Sequence, residues 1–208
     1  IVEMSSEEYE QRLLAGWRHF GRQVFRPKCE NCNECKSLRI PVKDYKPNRS
    51  QARNFKANHG RISLEIQEPA LTDEIMDLYD RFHAERSYSR DWPAKEDEDA
   101  FSFDCSFLDN PFPVEQWMYR ENGRLCGVGY VDGLKCGLSA IYFFHDPNFY
   151  SHGIGIWNVM SLINEAKRRG LPHVYMGYYV KGCQSLEYKA GFKPNEILSL
   201  AGKWVPYS

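Results

Sequence analysis

Three cysteines, each separated from the next by two residues, form the most recognisable chemical motif in the sequence. Cys29, Cys32 and Cys35 make a C-x2-C-x2-C run whose intervening residues are glutamates and asparagines. Thiolates at this spacing bind zinc or an iron–sulfur cluster, each of which normally takes four protein ligands. We expect the fourth ligand to come from a distant cysteine, from His19 or from a segment before Ile1. Three free thiols in a loop are the alternative.

A cationic segment directly follows these cysteines. Residues 36–61 contain eight lysines or arginines and one acid, whereas residues 65–109 contain fourteen acids and four bases. The net charge of the whole chain, −1, conceals this asymmetry. Clustered cations attract phosphate groups, so residues 36–61 predict a basic surface for a phosphate-bearing partner. A solvated basic face without a partner is the alternative.

The composition is that of an ordinary globular protein. The chain has 208 residues, of which 42% are hydrophobic and 26% charged, enough for one large or two small domains. No stretch approaches the roughly 20 apolar residues that a membrane helix needs. Seven cysteines is an odd number, which does not favour a disulfide framework, so we expect a reducing cytoplasm.

Capping residues, turns and periodicity predict the elements that hold these groups. Ser5 and Glu8 match a capping box at the start of a helix, and residues 48–58 form a basic helix. Asn122-Gly123 predicts the two-residue turn of a hairpin. Gly153 and Gly155 lie in a loop before a helix predicted at about residues 156–169.

The order of elements predicts an α+β fold in two parts. A break at Glu68-Pro69 separates a small N-terminal α/β domain, residues 1–67 with the cysteine-rich loop, from residues 68–208. The second part runs helix, three antiparallel strands, glycine loop, helix, strand, helix, strand, and the last strand starts at Gly191-Phe192. This order resembles the acetyltransferase-like (GNAT) fold, in which the helix after the glycine loop presents free N–H groups to an anion.

The glycine loop departs from the pattern of acetyltransferases that use acetyl-CoA. In those enzymes it usually runs Gln/Arg-x-x-Gly-x-Gly/Ala, whereas Tyr150 stands here at the leading position. Gly153 and Gly155 do fit the pattern. The loop therefore either binds a different phosphate or only permits the turn.

Longer motifs resemble those of bacterial aspartate/glutamate leucyltransferases, relatives of eukaryotic arginyl-tRNA–protein transferases. The resemblance covers nearly the whole chain, in order. The motifs are Arg26-Pro27-x-Cys29-x2-Cys32-x2-Cys35-x2-Leu38-Arg39-Ile40-Pro41-Val42, Pro47-x-Arg49-Ser50-Gln51-x-Arg53, Gly127-Val-Gly-Tyr-Val131-Asp132, Gly137-Leu-Ser-Ala-Ile-Tyr142-Phe143-Phe-His-Asp146-Pro147, Met176-Gly177-Tyr178-Tyr179 and Tyr188-Lys189-Ala-x-Phe192-x-Pro194.

The resemblance implies an aminoacyl-tRNA–protein transferase. Such an enzyme moves leucine from leucyl-tRNA to a protein whose N-terminal residue is Asp or Glu, which marks that protein for N-degron degradation. The resemblance also implies that CoA is not needed and that transfer requires no cofactor. Transfer of arginine from arginyl-tRNA and CoA-dependent N-acetylation are the alternatives.

An aminoacyl ester is already activated, so the enzyme must orient two substrates, deprotonate an ammonium and stabilise an oxyanion. For this chemistry we predict Asp132, Tyr142 and Tyr178, with a turn aspartate and core aromatics as the alternatives. A histidine common in the family is Ser87 here, which removes one candidate base. The predicted tRNA or substrate contacts are Arg39, Arg49, Ser50, Arg53, Lys56, Tyr79, Arg86, Tyr179 and Lys189. One arginine could instead hold the acidic side chain of the target protein.

Overall fold

A computed structural model describes residues 4–90, 92 and 100–207 of the chain. The strands are β1 Arg18–Phe20, β2 Gln23–Phe25, β3 Lys36–Pro41, β4 Ile62–Gln67, β5 Val114–Glu121, β6 Arg124–Leu134, β7 Gly137–His145, β8 His173–Tyr179, β9 Glu196–Leu198 and β10 Trp204–Pro206. The α-helices are α1 Ser6–Leu14, α2 Arg49–Asn58, α3 Asp73–Arg90, α4 Ala100–Phe103, α5 Ile154–Arg168 and α6 Gln184–Glu187. Shorter helical turns cover Asp104–Leu108, Pro147–His152 and Tyr188–Gly191.

Eight of these strands form one mixed sheet in the order β10-β9-β3-β8-β7-β6-β5-β4. β1 and β2 pair with each other in a separate hairpin. Neighbouring strands of the large sheet are antiparallel except β7 and β8, which are parallel and pair only at Leu138–Val174 and Ser139–Tyr175. Beyond these two positions the central strands no longer pair, which leaves a gap in the middle of the sheet.

Several local predictions are confirmed. The Ser5 hydroxyl accepts from the Glu8 N–H at 3.2 Å, while the Glu8 carboxylate accepts from the Ser5 N–H at 2.8 Å, which completes a capping box. Asn122 and Gly123 have φ angles of 49° and 82°, as the predicted two-residue hairpin turn requires. The helix expected at 156–169 is α5, which begins two residues earlier.

The last predicted strand is wrong in position. Gly191 ends a short helical turn, and its carbonyl accepts from the side-chain amide of Gln51 at 3.0 Å instead of pairing in the sheet. The strand that follows is β9, which begins at Glu196. The acidic segment 95–99 lies outside the described part of the chain, and Ala100 begins α4.

Helices cover both faces of the sheet. On one face, α5 packs its apolar stripe, which includes Val159 and Leu162, against strand residues such as Leu38 and Trp117. On the other face, α3 and α4 enclose a second cluster that contains Phe82 and many other aromatic side chains. The predicted α+β class is therefore confirmed. Within the described residues, no helix is long and apolar enough to cross a membrane.

The sheet contains strands from both sides of the predicted boundary at residue 68. β3 lies between β9 and β8, and β4 pairs with β5 at the sheet edge. The boundary falls between β4 and α3, so it does not separate two sheets. The division into 1–67 and 68–208 stays a prediction.

A substitution in β3 tests how strongly this strand supports the sheet. Ile40 is fully buried in the cluster that α5 covers, so Ile40→Ala removes apolar contacts and leaves a cavity. We expect a loss of about 2–5 kcal/mol in the free energy of unfolding, measured by urea denaturation followed by tryptophan fluorescence.

The matched control is Leu200→Ala, because Leu200 is 88% exposed. We expect this variant to unfold within about 0.5 kcal/mol of the unsubstituted protein. Equal stability of the two variants would contradict the placement of β3 inside the main sheet.

Candidate active site

A cavity of about 640 Å³ occupies the gap between β7 and β8. Residues 140–143 of β7 and 176–178 of β8 form its two strand walls, and the first turn of α5 closes a third side. The remaining walls come from the β1–β2 hairpin, from α3 and from residues 184–186, 188 and 189. The splayed strands thus create a site at the centre of the sheet.

Two cations converge at one end of this cavity. The Arg18 guanidinium donates to the Ser139 hydroxyl at 3.0 Å and also to the Ala140 carbonyl. The Lys189 ammonium donates to the Tyr178 carbonyl at 2.8 Å. A Cβ built on Gly177 would lie 3.7 Å from the Lys189 Nζ and 3.8 Å from an Arg18 Nη, so both cations approach the same point. Such a pair favours an anion, above all a carboxylate.

Burial changes the proton affinity of one of these cations. Desolvation, together with the positive charge of Arg18, lowers the pKa of Lys189 to about 7. At neutral pH the Lys189 amine is therefore partly uncharged, whereas an arginine stays cationic.

Asp132 lies behind the cationic end and does not line the cavity. Its carboxylate is fully buried, with Oδ1 2.7 Å from His19 Nε2. Its Oδ2 accepts from Ser139 at 2.8 Å and from the Tyr9 hydroxyl at 3.2 Å. The sequence suggested direct contact between Asp132 and substrate, whereas the structure places it one layer deeper because three side chains enclose it. Its effect on the cavity passes through His19 and Ser139.

His19 lines the cavity but has no free ring nitrogen. Its Nδ1 lies 2.8 Å from the Gly21 carbonyl, which can only accept, so Nδ1 carries a proton. Its Nε2 faces Asp132. Both nitrogens are thus engaged inside the protein, so His19 does not provide the fourth ligand suggested for the cysteine loop.

Aromatic side chains and imidazoles surround the opposite end of the cavity. The Arg86 guanidinium lies over the rings of Phe82 and Tyr150, with 4.9 and 5.0 Å to their centroids. His145 donates from Nδ1 to the Asp146 carbonyl at 3.0 Å, and burial lowers the pKa of its imidazole. An aromatic and cationic surface of this kind suits the stacking of a nucleobase.

The wall between these two ends is apolar. Among the described residues that line the cavity there is no aspartate and no glutamate. Its apolar members are Ile141, Phe143, Ile154, Ile156, Val159, Leu162, Met176 and Leu186. Asn158 lies among them, and its side-chain oxygen accepts from the Tyr119 hydroxyl at 2.8 Å.

Helix α2 holds the glycine loop that precedes α5. Asn54 donates to the carbonyls of His152 and Gly153 at 2.9 and 3.1 Å, and Asn58 donates to His152 at 2.9 Å. Gly153 has a φ of +59°, and a Cβ there would lie 2.5 Å from the Asn54 side chain, so the turn requires glycine. The basic helix is therefore attached directly to the loop at the cavity.

Two of the residues predicted for chemistry line the cavity. The Tyr142 hydroxyl is 2.9 Å from His83 Nε2, and the Tyr178 hydroxyl donates to the Gly16 carbonyl at 2.9 Å. Arg86 and Lys189 line it as well. Burial raises the pKa of Tyr178 to about 12, so its phenol stays protonated at neutral pH.

Three other predicted contacts face elsewhere. Arg39 donates to Glu196 at 2.6 Å and stacks on Trp204 at 4.4 Å, which holds it on the sheet face opposite α2. Tyr79 is buried in the aromatic core below α3, and the Tyr179 hydroxyl is 3.0 Å from that of Tyr207. None of the three lines the cavity, because core packing or an internal partner occupies each side chain.

The predicted contacts on α2 lie on the molecular surface. Arg49, Ser50, Arg53 and Lys56 are all exposed. They lie on successive turns of α2, the helix that also carries Asn54. They therefore flank the glycine loop and do not enter the cavity.

The cysteine run forms an exposed loop between β2 and β3. Cys29, Cys32 and Cys35 are free thiols, and Cys29 and Cys32 face each other in an isolated β-bridge. Burial, followed by the neighbouring thiols, raises the pKa of Cys35. Across residues 4–90, 92 and 100–207, no three His, Cys, Asp or Glu side chains are arranged to hold a metal ion. A zinc ion or iron–sulfur cluster here stays a prediction, and we derive no step through it.

Sequence reasoning missed four residues of this site. Arg18, His145 and Asn158 line the cavity, and His83 contacts the Tyr142 hydroxyl. The four come from four different elements, and only His145 lies within one of the long motifs, where it was given no role. His83 directly follows Phe82 and lies one turn before Ser87, where the family commonly has histidine. For Arg18, the only sequence signal was its position next to His19.

The splayed parallel strands, with a helix N-terminus at the cavity between them, define an acetyltransferase-like fold. Solved structures with this arrangement include the C-terminal domain of a putative lysylphosphatidylglycerol synthetase from Agrobacterium fabrum, with a TM-score of 0.55 and 11% identity over 83% of this chain and 58% of that one. FemX matches with a TM-score of 0.52 and 7% identity over 86% of this chain and 62% of that one. The predicted acetyltransferase-like fold is confirmed.

Sequence comparisons place the chain in a particular family. Residues 2–53 match the family model for the N terminus of arginine-tRNA-protein transferase, and residues 74–199 match the model for its C terminus. An aspartate/glutamate leucyltransferase of Pseudomonas fluorescens is 38% identical over 97% of this chain and 84% of its own. A Campylobacter jejuni protein of the same name is 37% identical over 95% of this chain and 82% of its own. The chain belongs to the arginine-tRNA–protein transferase family and is an aminoacyltransferase.

The buried position of Asp132 leads to a stability prediction. Asp132→Ala removes the buried acceptor that Tyr9, His19 and Ser139 share, and leaving a buried polar group without its partner costs about 1–3 kcal/mol. We expect a loss of this size in the free energy of unfolding, measured by urea denaturation. The control is Asp44→Ala, on an exposed loop, which should stay within about 0.5 kcal/mol. Unchanged stability of Asp132→Ala would contradict this structural role.

Proposed function

We propose that this protein transfers leucine from leucyl-tRNA to the α-amino group of proteins that begin with Asp or Glu. The observation that carries this proposal is the composition of the cavity, which combines an apolar wall with two converging cations and has no carboxylate among its described lining residues. The names of the relatives, aspartate/glutamate leucyltransferases, agree with the same pair of substrates.

The cationic end suits the acidic acceptor. A guanidinium binds a carboxylate through two parallel hydrogen bonds, and Arg18 is held in place by Ser139 and the Ala140 carbonyl. Lys189 adds a second positive charge near Gly177. An acceptor with a neutral N-terminal residue would leave these buried cations unpaired, which costs binding energy.

The apolar wall suits leucine and does not suit arginine. A leucine side chain gains roughly 25 cal/mol for each Å² of apolar surface that it buries. A guanidinium in the same place would lose its hydration without an acidic partner, because no described aspartate or glutamate lines the cavity. This difference favours transfer of leucine over the alternative of arginine.

Helix α2 and the glycine loop suit the acceptor end of the tRNA. The exposed cations of α2, Arg49, Arg53 and Lys56, lie next to the loop that Asn54 holds, and the loop leads into the cavity. The terminal nucleoside would then enter beside Arg86 and Tyr150. Family membership does not favour the alternative of CoA-dependent N-acetylation. Acetyltransferases that use acetyl-CoA usually have Gln or Arg at the leading position of the glycine loop, whereas this chain has Tyr150.

In this proposal the aminoacyl ester supplies the driving force, so transfer itself requires no cofactor. The enzyme works in the cytoplasm, where aminoacyl-tRNA is made, and its products enter N-degron degradation.

A side-by-side transfer assay tests the choice of amino acid and acceptor. Purified protein receives radiolabelled leucyl-tRNA or arginyl-tRNA together with peptides that differ only in the first residue: Asp, Glu or Ala. We expect leucine on the Asp and Glu peptides, little on the Ala peptide, and little transfer of arginine. An N-acetylated Asp peptide is the control for attack by the α-amine. Transfer of arginine alone, or no transfer, would contradict the proposal.

The role of α2 predicts a change in the salt dependence of tRNA binding. Each phosphate contact contributes about −0.9 to the slope of log K against log salt concentration for a duplex. Arg53→Ala should reduce the magnitude of this slope by about 1 and weaken the binding of different tRNAs alike. The measurement is a binding titration at several salt concentrations.

The matched control is Lys135→Ala. Lys135 lies in the turn between β6 and β7, at the opposite end of β7 from the glycine loop, and is also exposed. Equal slopes for the unsubstituted protein and Arg53→Ala would exclude α2 as the tRNA surface.

A further inference from the structure

We propose that Lys189 is the general base of the transfer reaction, and that it accepts a proton from the α-ammonium group of the acceptor protein. This inference rests on the proposed function, because it assigns a catalytic role within the same cavity. It gives Lys189 a role different from that of a phosphate or carboxylate contact, in which the lysine stays charged throughout.

The reaction needs a base at the cationic end. A protein α-amino group has a pKa of about 7.7–8.0, so it is mostly a non-nucleophilic ammonium at neutral pH. If Arg18 holds the side-chain carboxylate of the first residue, the α-ammonium of that same residue lies close to it. The Lys189 Nζ approaches the same point, as the Cβ position built on Gly177 shows.

The other ionisable groups at this end are poor bases for the step. Asp132 is fully buried and does not line the cavity. Both nitrogens of His19 are engaged, by Gly21 and by Asp132. The Tyr178 hydroxyl donates to the Gly16 carbonyl and stays protonated at neutral pH because burial raises its pKa.

The surroundings of Lys189 favour its uncharged form. The Arg18 guanidinium from β1 lowers its pKa, the Cys183 thiol from the loop before α6 acts more weakly in the opposite direction, and the Tyr178 carbonyl of β8 accepts its hydrogen bond. No carboxylate of the described chain is among them. Burial and the Arg18 charge hold the pKa near 7, where a base works best at neutral pH.

The proton balance of the step is complete. The neutral Lys189 amine takes one proton from the α-ammonium, and the resulting α-amine attacks the ester carbonyl carbon of the aminoacyl-tRNA. The new C–N bond forms as the bond from carbon to the ribose oxygen breaks. The second proton lost by nitrogen goes to that oxygen, which leaves as a hydroxyl group. Lys189 then returns its proton to the solvent.

The substitution Lys189→Arg distinguishes two roles of the lysine: a base that accepts a proton, and a contact that only supplies positive charge. Lys189→Arg keeps a positive charge and hydrogen-bond donors, but a guanidinium does not accept a proton at neutral pH. We expect Lys189→Arg and Lys189→Met both to lower the single-turnover rate of leucine transfer by about 10²–10⁴-fold. The probes are leucyl-tRNA and a peptide beginning with Asp, and the control is Lys181→Arg, an exposed lysine in the loop before α6.

The pH dependence gives a readout that a purely structural role would not change. At saturating peptide, the rate for the unsubstituted protein should rise with pH through about 7 and then level off, because the base must be uncharged. The residual rate of Lys189→Arg should lack the rise through about 7 and should follow only the deprotonation of the α-amine itself, whose pKa is about 7.7–8.0. Thermal unfolding and leucyl-tRNA binding of each variant show whether the fold and the tRNA site are intact.

The outcomes separate this inference from the proposed function. If the unsubstituted protein transfers leucine and folded Lys189→Arg does so at a similar rate, Lys189 is a charged contact and the inference is wrong. A rate for the unsubstituted protein that stays constant from about pH 6 to pH 8 would overturn it as well. If the unsubstituted protein transfers no leucine at all, the proposed function itself fails.

Discussion

The two central parallel strands pair at only two positions, and the organisation of the site follows from this limited pairing. Where β7 and β8 separate, backbone carbonyls that a neighbouring strand would have satisfied face a cavity instead, and buried carbonyls need donors. Arg18 donates to the Ala140 carbonyl of β7, and Lys189 donates to the Tyr178 carbonyl of β8. The side chains that complete the hydrogen bonding of the split sheet are thus the same cations that give the cavity its charge.

This arrangement connects distant parts of the chain. The hairpin of β1 and β2 brings Arg18 to β7 and His19 to Asp132 of β6, while α2 holds the loop before α5 through Asn54. β3 fills the position between β9 and β8. The N-terminal segment therefore supplies one cavity wall, one central strand and the support of the glycine loop.

Local features were predictable from sequence because local interactions determine them. Ser5 with Glu8, and Asn122 with Gly123, contact residues close by in the chain, so spacing alone identifies the cap and the turn. Lys189 and Tyr142 were found through their place in long motifs.

Roles that depend on side-chain direction were not predictable in this way. Asp132 is enclosed by Tyr9 and His19, and Arg39 pairs with Glu196. In each case the partners lie more than 100 positions apart in the sequence, so these placements became apparent only from the folded chain. Arg18 shows the same limit, because its importance comes from strand pairing and not from its sequence neighbours.

The hydrogen bonds of Arg18 to β7 have a consequence for how the family can vary. Arg18, near the start of the chain, donates to a backbone carbonyl of β7 in the C-terminal half and also gives the cavity there a positive charge. The two segments that the family models match separately, residues 2–53 and 74–199, consequently make a single catalytic unit. A chimaera that joins the first segment of one relative to the second segment of another would need a matched interface between hairpin and strand.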